Sequence, residues 1–313
     1  MRIILLGSTG YLGGHIAEQL SALPGARLLR TGRSPAADLG IDLATDTVDR
    51  LASVLASAAP DTVVNCAGAV GGDPVTLAEV NTRGAAALCA AVRKAAPGAR
   101  LIHLGSAAEY GPGTPGTEVT ESSATRPVTV YGATKLAGTV TVAGSGLDAV
   151  VLRIGNPVGP GQAPTSLPGR VLGLLRDAAG EHGVVVRLGD LSSYRDFVDV
   201  RDAARAVALA VTAPGPLPPI LNISGGRAVP VRDLVHTLAR TAGFRGRIEE
   251  DGRGSTRSEE VSWQCSDIKA AADALGWRPR YGLEDSLTAL WAAAGGEPRS
   301  AGQGSGREDT RLS

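Results

Sequence analysis

Residues 3–13 read Ile3-Ile4-Leu5-Leu6-Gly7-Ser8-Thr9-Gly10-Tyr11-Leu12-Gly13. An apolar run of four that stops at a glycine predicts a buried strand running into a tight turn. The stretch from His15 to Leu20 then predicts a helix. Glycines at 7, 10 and 13 let the chain turn sharply, and they allow a pyrophosphate to approach the N-terminus of that helix. Strand, glycine turn and helix in this order open a dinucleotide-binding α/β fold.

The pattern repeats outward from this start. Further strands are expected at Arg27–Arg30, Thr62–Cys66, Leu101–Leu104 and Val150–Arg153, with helices at Asp49–Ala58, Leu77–Ala96 and Tyr131–Val142. Alternation of short apolar runs with longer alanine-rich stretches predicts a doubly wound parallel sheet covered by helices on both faces. The Gly- and Pro-rich segment Gly155–Pro168 reads as a long loop, and Pro214–Pro219 as a second break. These breaks divide the chain into a Rossmann domain over 1–154, to which 190–213 returns, and a smaller interleaved α/β lobe over 155–189 and 214–294. Val231–Thr241 and Leu283–Ala294 would be amphipathic helices of that lobe, and 295–313 reads as a disordered tail.

Composition narrows the function. The chain has 313 residues, 43% of them hydrophobic, with only 3% aromatic, so Ala, Val and Leu must fill a sizeable core. Thirty-one basic and 31 acidic residues cancel, which removes the footprint of a general nucleic-acid or anionic-membrane binder and leaves a small polar ligand as the natural partner. The three cysteines, Cys66, Cys89 and Cys265, are far apart, and neither they nor His15, His103, His182 and His236 have metal-ligand spacing. No metal site is expected. His103 should pack within its strand and Cys66 should be a small buried thiol. Without a signal-peptide core or a membrane-length apolar run, the expected location is the cytoplasm.

Chemistry enters with Tyr131 and Lys135 in VYGATKLAG. Four residues is about one helical turn, so both side chains project from one face and the ammonium can stand near the phenol. A neighbouring cation favours phenolate and prepares the group for proton exchange at working pH. Ser106, in Leu104-Gly105-Ser106-Ala107-Ala108-Glu109-Tyr110-Gly111, precedes Tyr131 by 25 positions (131 minus 106) and follows a predicted strand.

The glycine turn, Ser106 and the Tyr131/Lys135 pair together resemble the extended short-chain dehydrogenase/reductases, the NAD-dependent epimerase/dehydratase family, over about residues 1–294. The resemblance implies a catalytic triad in which Ser106 hydrogen-bonds the substrate oxygen and Tyr131 passes the proton. Lys135 would tune the tyrosine and hold the nicotinamide ribose. Gly7, Thr9, Gly10, Tyr11, Leu12 and Gly13 would carry the cofactor, with Asp42-Leu43 at the adenine, Cys66-Ala67-Gly68 at the cofactor-facing strand end, and Asn81 as the family's helix asparagine. Where an NAD binder places an acid after the second strand, this chain has Thr31-Gly32-Arg33-Ser34. A guanidinium suits a 2′-phosphate, so NADP(H) is favoured and NAD(H) is the alternative.

Members that eliminate water or carbon dioxide carry an acid one or two positions after the serine, but here those positions are Ala107 and Ala108, which the resemblance implies would line the substrate and which can move no proton. Simple hydride transfer survives, as a ketoreductase or as a 4-epimerase. Arg153-Ile-Gly-Asn156-Pro157-Val-Gly-Pro160-Gly-Gln162 and Arg195-Asp-Phe-Val-Asp-Val-Arg-Asp202 are similar to the family's nucleotide-diphosphate segments, in which Asn156, Arg195 and Arg257 would bind the diphosphate. The combination resembles most the branch of GDP-4-dehydro-6-deoxy-D-mannose reductases and related NDP-hexose 4-ketoreductases. A nucleotide sugar is therefore the expected substrate, though a non-sugar natural-product carbonyl stays open. The family's helix-mediated homodimer is implied too, although the helix bearing Lys135 reaches Gly144-Ser-Gly146 early.

Overall fold

The computed structural model describes residues 1–34, 37–179, 183–252 and 261–296. Its central sheet is built from β1 (Arg2–Leu6), β2 (Arg27–Gly32), β3 (Leu39–Gly40), β4 (Thr62–Asn65), β5 (Arg100–Ser106), β6 (Ala149–Ile154) and β11 (Ile220–Ile223). All seven strands are parallel, in the order β11-β6-β5-β4-β1-β2-β3. The chain reverses its direction of winding beside β1, which leaves a crevice at the C-terminal ends of β1 and β4. Ligands bind at such a switch point in open α/β sheets.

Side-chain alternation along the strands splits the core into two layers. Ile3 and Leu5 of β1 pack with Ile16 and Leu20 of α1 (Tyr11–Ser21) and with the alanine-rich face of α7 (Val200–Thr212). Ile4 and Leu6 point the other way, onto Leu51 and Leu55 of α2 (Val48–Ala58) and Leu88 and Val92 of α4 (Gly84–Ala95). Two apolar faces explain why these strands read as unbroken hydrophobic runs. Each fully buried Leu or Ile contributes about 1.5–3 kcal/mol.

The helix expected over Leu77–Ala96 divides into α3 (Pro74–Ala78), a π-helical turn (Glu79–Arg83) and α4. α5 (Val130–Ala143) starts on a Thr129 side-chain cap to Gly132 N–H and ends at Gly144, as the glycines predicted. A second lobe is cored by Val171 and Leu175 of α6 (Leu167–Asp177), Leu234 and Leu238 of α8 (Val231–Thr241), and Leu287 and Leu290 of α10 (Leu283–Ala293). β8 (Val185–Leu188) pairs there with β13 (Arg247–Glu250).

Two expectations about the outer segments change. Gly155–Pro168 is not all loop, because β7 (Asn156–Val158) lies within it and pairs in parallel with β10 (Phe197–Asp199). Ile220–Ile223, assigned by its Pro-rich neighbour to the small lobe, instead closes the main sheet against β6, and α9 (Lys269–Leu275) packs beside it. β9 (Tyr194–Arg195) pairs with β12 (Val229–Pro230) between the two regions. The tail beyond Gly296 and residues 253–260, the end of a charge-rich stretch that starts at Glu249, lie outside the described residues. Among the described residues, no helix is long and apolar enough to cross a membrane.

Candidate active site

The glycine turn folds as its spacing requires. Gly7 has φ of 78°, and a Cβ there would stand 2.6 Å from the backbone N of Ala67. A Cβ on Gly13 would stand 1.9 Å from Gly7 O. Only hydrogen fits at either position. Gly10 caps α1 without any side-chain hydrogen bond, and helical bonding begins with Gly14 N–H donating to Gly10 O at 2.9 Å. The N–H groups of Tyr11, Leu12 and Gly13 therefore face outward at the positive end of the helix, where a pyrophosphate can accept from them. Thr9 is exposed on the turn.

Around this turn the expected cofactor residues take different roles. Arg33 is exposed just after β2. Asp42 Oδ1 accepts from Ala44 N–H at 2.9 Å and so shapes the turn after β3, while Leu43 is buried in the core. Cys66 Sγ donates to Leu6 O at 2.7 Å, and burial pushes its thiol up to about 12, which keeps it protonated. Ala67 N–H donates to Asn65 Oδ1 at 3.2 Å. Asn81, inside the π turn, ties two elements together: its Oδ1 accepts from Ala69 N–H at 2.9 Å, and its Nδ2 donates to Ala69 O at 2.9 Å and Thr134 Oγ1 at 3.1 Å. That locks the loop after β4 onto α5, one residue from Lys135.

Ser106 ends β5 and opens a 3₁₀ turn (Ala107–Glu109). Its Oγ accepts from Ala108 N–H at 3.2 Å, which leaves the hydroxyl proton free to be donated to a ligand. Ala107 is buried, and Ala108 O lies against Gly132 of α5. Lys135 is buried, and its Nζ donates to Leu104 O at 2.5 Å. A Cβ on Gly68 would be 3.8 Å from that Nζ, so the ammonium sits beside the loop that follows the C-terminal end of β4. Burial pulls the Lys135 ammonium down to about 8, opposed by the charge of Glu109. His103 is buried in β5, with Nδ1 3.0 Å from Asn65 Nδ2, and burial followed by the Lys135 charge holds its imidazole well below the ordinary range. It is neutral packing, as its strand position predicted.

Toward the second lobe, Asn156 donates its amide to Asp196 O and Gln264 Oε1, both at 3.1 Å, so those donors are engaged within the protein. Arg195 is buried and donates to Tyr194 O at 2.8 Å. Arg257 lies outside the described residues. Sequence reasoning passed over Glu109, Thr139 and the role of Arg153. Glu109 is fully buried and pairs with Arg153 at 2.7 Å, directly behind Ser106. A charged residue inside a turn motif carries no sign of such burial.

The model of the NAD dependent epimerase/dehydratase family matches residues 3–224. The chain belongs to this family. Among its relatives, dTDP-6-deoxy-L-talose 4-dehydrogenase (NAD(P)(+)) of Kitasatospora kifunensis is 36% identical over 310 residues, covering 95% of this chain and 96% of the relative. Solved epimerase/dehydratase-like structures follow the same fold. RMD from Pseudomonas aeruginosa, complexed with NADPH, superposes with a TM-score of 0.79 at 24% identity, covering 93% of this chain and 98% of that one. The UDP-glucose 4-epimerase of Thermus thermophilus, in complex with NAD, gives 0.76 at 26% identity, covering 93% and 97%.

Proposed function

We propose that the protein reduces the 4-keto group of a nucleoside-diphosphate 4-keto-6-deoxyhexose with NADPH, a thymidine diphosphate sugar being the first candidate. The observation that carries this reading is the relative named dTDP-6-deoxy-L-talose 4-dehydrogenase (NAD(P)(+)), matched over 95% of this chain, since that name sets the redox step at C4 of a 6-deoxyhexose. The local chemistry supports it. After Ser106 come Ala107 and Ala108, and the next acid, Glu109, is fully buried against Arg153, so this turn offers no free carboxyl to assist elimination.

Gly7, Gly10 and Gly13, with the uncapped N–H groups of α1, would hold the dinucleotide pyrophosphate, and Lys135 the ribose. When bound, the reduced nicotinamide supplies a hydride. Ser106 donates its hydroxyl hydrogen to the carbonyl oxygen and orients it. Tyr131 gives its phenolic proton to that oxygen as negative charge develops there, and recovers a proton from solvent. Lys135, while charged, stabilises the transient phenolate. Arg33, exposed beyond β2, would accept the 2′-phosphate and favour NADPH over NADH. Arg195, Asn156 after a rotamer change, and Arg257 would meet the diphosphate.

A 4-epimerase that retains NAD is the second reading, supported by the likeness to the Thermus thermophilus epimerase. Absorbance of NADPH and NADH against a panel of NDP-4-keto-6-deoxysugars decides between them. The ketoreductase oxidises one equivalent of NADPH per sugar reduced. Protein purified with NAD bound, which interconverts sugars without net coenzyme oxidation, contradicts it.

A further inference from the structure

A carboxylate and a guanidinium are buried together behind Ser106, and neither takes part in the chemistry set out above. Glu109 Oε1 accepts from Ser106 N–H at 2.7 Å and from Thr139 Oγ1 at 2.9 Å. Its Oε2 accepts from Arg153 Nε at 2.7 Å. Thr139 lies one helical turn beyond Lys135 on α5, so a single carboxylate ties the Ser106 strand end to the helix that carries Tyr131 and Lys135. Gly105 makes room for it, since a Cβ there would come within 2.8 Å of Glu109 Oε1. Arg153 in turn stacks 4.6 Å from the Tyr110 ring centroid, and Tyr110 Oη donates to Asn222 Oδ1 of β11 at 2.7 Å.

For stability alone this arrangement is a poor choice. Desolvating two charges generally costs as much as their attraction returns, and an apolar pair of the same volume packs at least as well. We propose that Glu109, with Arg153 as its counter-ion, is a positioning residue of the reaction: it fixes the Ser106 backbone against α5 and supplies the negative charge that faces the Lys135 ammonium. The proposal rests on the ketoreductase reading of Ser106 and Lys135.

Glu109 acts on Lys135 from the 3₁₀ turn and Cys66 from the end of β4, His103 of β5 feels the ammonium charge, and Tyr131 lies one helical turn before it on α5. Arg153 of β6 is engaged with Glu109, and Glu79 and Arg83 of the π turn pair with each other at 2.6 Å. Burial keeps the cysteine thiol protonated and the imidazole neutral at working pH. The charge of Glu109 opposes the effect of burial on Lys135.

The test needs no cofactor. The chain has three lysines, Lys94, Lys135 and Lys269, so ¹³C,¹⁵N-lysine labelling gives three resolvable side-chain signals. The Lys135 signal of the wild type should titrate at about 8. In Glu109→Gln the midpoint should fall by about one unit or more, as expected for losing an opposite charge nearby. The alkaline limb of kcat/KM for NADPH should move with it. If the unpaired Arg153 prevents Glu109→Gln from folding, Glu109→Gln combined with Arg153→Met removes both charges; thermal stability should recover while the Lys135 midpoint stays below that of the wild type. A purely structural pair would change melting temperature and leave the midpoint in place. An unmoved midpoint in a folded variant overturns the proposal with the ketoreductase reading intact, whereas a wild type that oxidises NADPH with no sugar of the panel overturns that reading.

Discussion

Gly13 and Gly14 are neighbours on the first turn of α1, and alanine should act on them in opposite directions. At Gly13 the new Cβ would sit 1.9 Å from Gly7 O, 2.8 Å from Gly7 C and 3.0 Å from Ser8 Cα. Reaching an ordinary contact near 3.4 Å means a retreat of about 1.5 Å (3.4 minus 1.9) by backbone, not by a flexible side chain. Gly7 has little room to give, since a substituent on its own Cα would meet Ala67 N at 2.6 Å. Overpacking of this kind costs about 1–3 kcal/mol, against about 1 kcal/mol gained from the higher helix propensity of alanine. The clash wins. A displacement of this size also misplaces the N–H groups of Tyr11 and Leu12, and NADPH affinity should fall by about 10- to 100-fold, the scale of losing one hydrogen bond to a charged phosphate. Gly14 has nothing within 4 Å of its would-be Cβ, so Gly14→Ala should gain about 0.5–1 kcal/mol and leave coenzyme binding unchanged. Thermal melting and nicotinamide fluorescence titration on the two variants side by side read both effects. Wild-type NADPH affinity in Gly13→Ala would refute the reasoning.

Other outcomes follow from single contacts. Arg33→Ala should weaken NADPH by about tenfold or more while changing NADH little, because only the former loses a charge-assisted phosphate contact; equal loss for both coenzymes would remove Arg33 from the 2′-phosphate site. Lys135, with its folded value lowered to about 8, is charged below that pH and neutral above it, so kcat/KM for NADPH should decline as pH rises through about 8. A profile flat to about pH 10 would contradict this. Arg100 clamps Asp148 Oδ2 at 3.0 Å and the carbonyls of Ala210, Ala213 and Gly215 at 3.1, 2.8 and 2.6 Å, at the N-terminal end of β5, opposite the end that carries Ser106. Arg100→Ala should cost about 2 kcal/mol of stability with kcat unchanged, as seen by denaturant unfolding and steady-state assay.

The five core strands were legible because a sheet covered on both faces favours apolar residues at successive positions, which Ile3–Leu6 supply without interruption and Leu101–Leu104 supply with only the buried His103 between them. Ile220–Ile223 escaped because a four-residue run behind prolines has no local signal of its partner, and only the pairing with β6 assigns it to the main sheet. The π turn at Glu79–Arg83 was hidden in an alanine-rich stretch whose periodicity barely changes when one turn widens. At the candidate site, the glycine turn could be read directly, since a Cβ at Gly7 or Gly13 would meet backbone, and Ser106, Tyr131 and Lys135 were legible as a spacing whose proposed proton-transfer role Tyr131→Phe tests. Glu109 was not. Its importance comes from burial against Arg153 and from contacts to Ser106 and Thr139, which lie 3 and 30 residues away in the chain. Asn156 was legible in type but not in state, because the partner of its amide, Gln264, comes from a segment more than a hundred residues on.

The central claim is that the phenol of Tyr131 delivers the proton that completes hydride transfer to a sugar carbonyl. Tyr131→Phe, assayed by NADPH absorbance with a dTDP-4-keto-6-deoxyhexose and by NADPH fluorescence titration in the same buffer, tests it most directly. The account predicts that turnover falls by at least about 100-fold while coenzyme affinity stays within a few-fold of the wild type. A Tyr131→Phe protein that still reduces the sugar at the wild-type rate would contradict it.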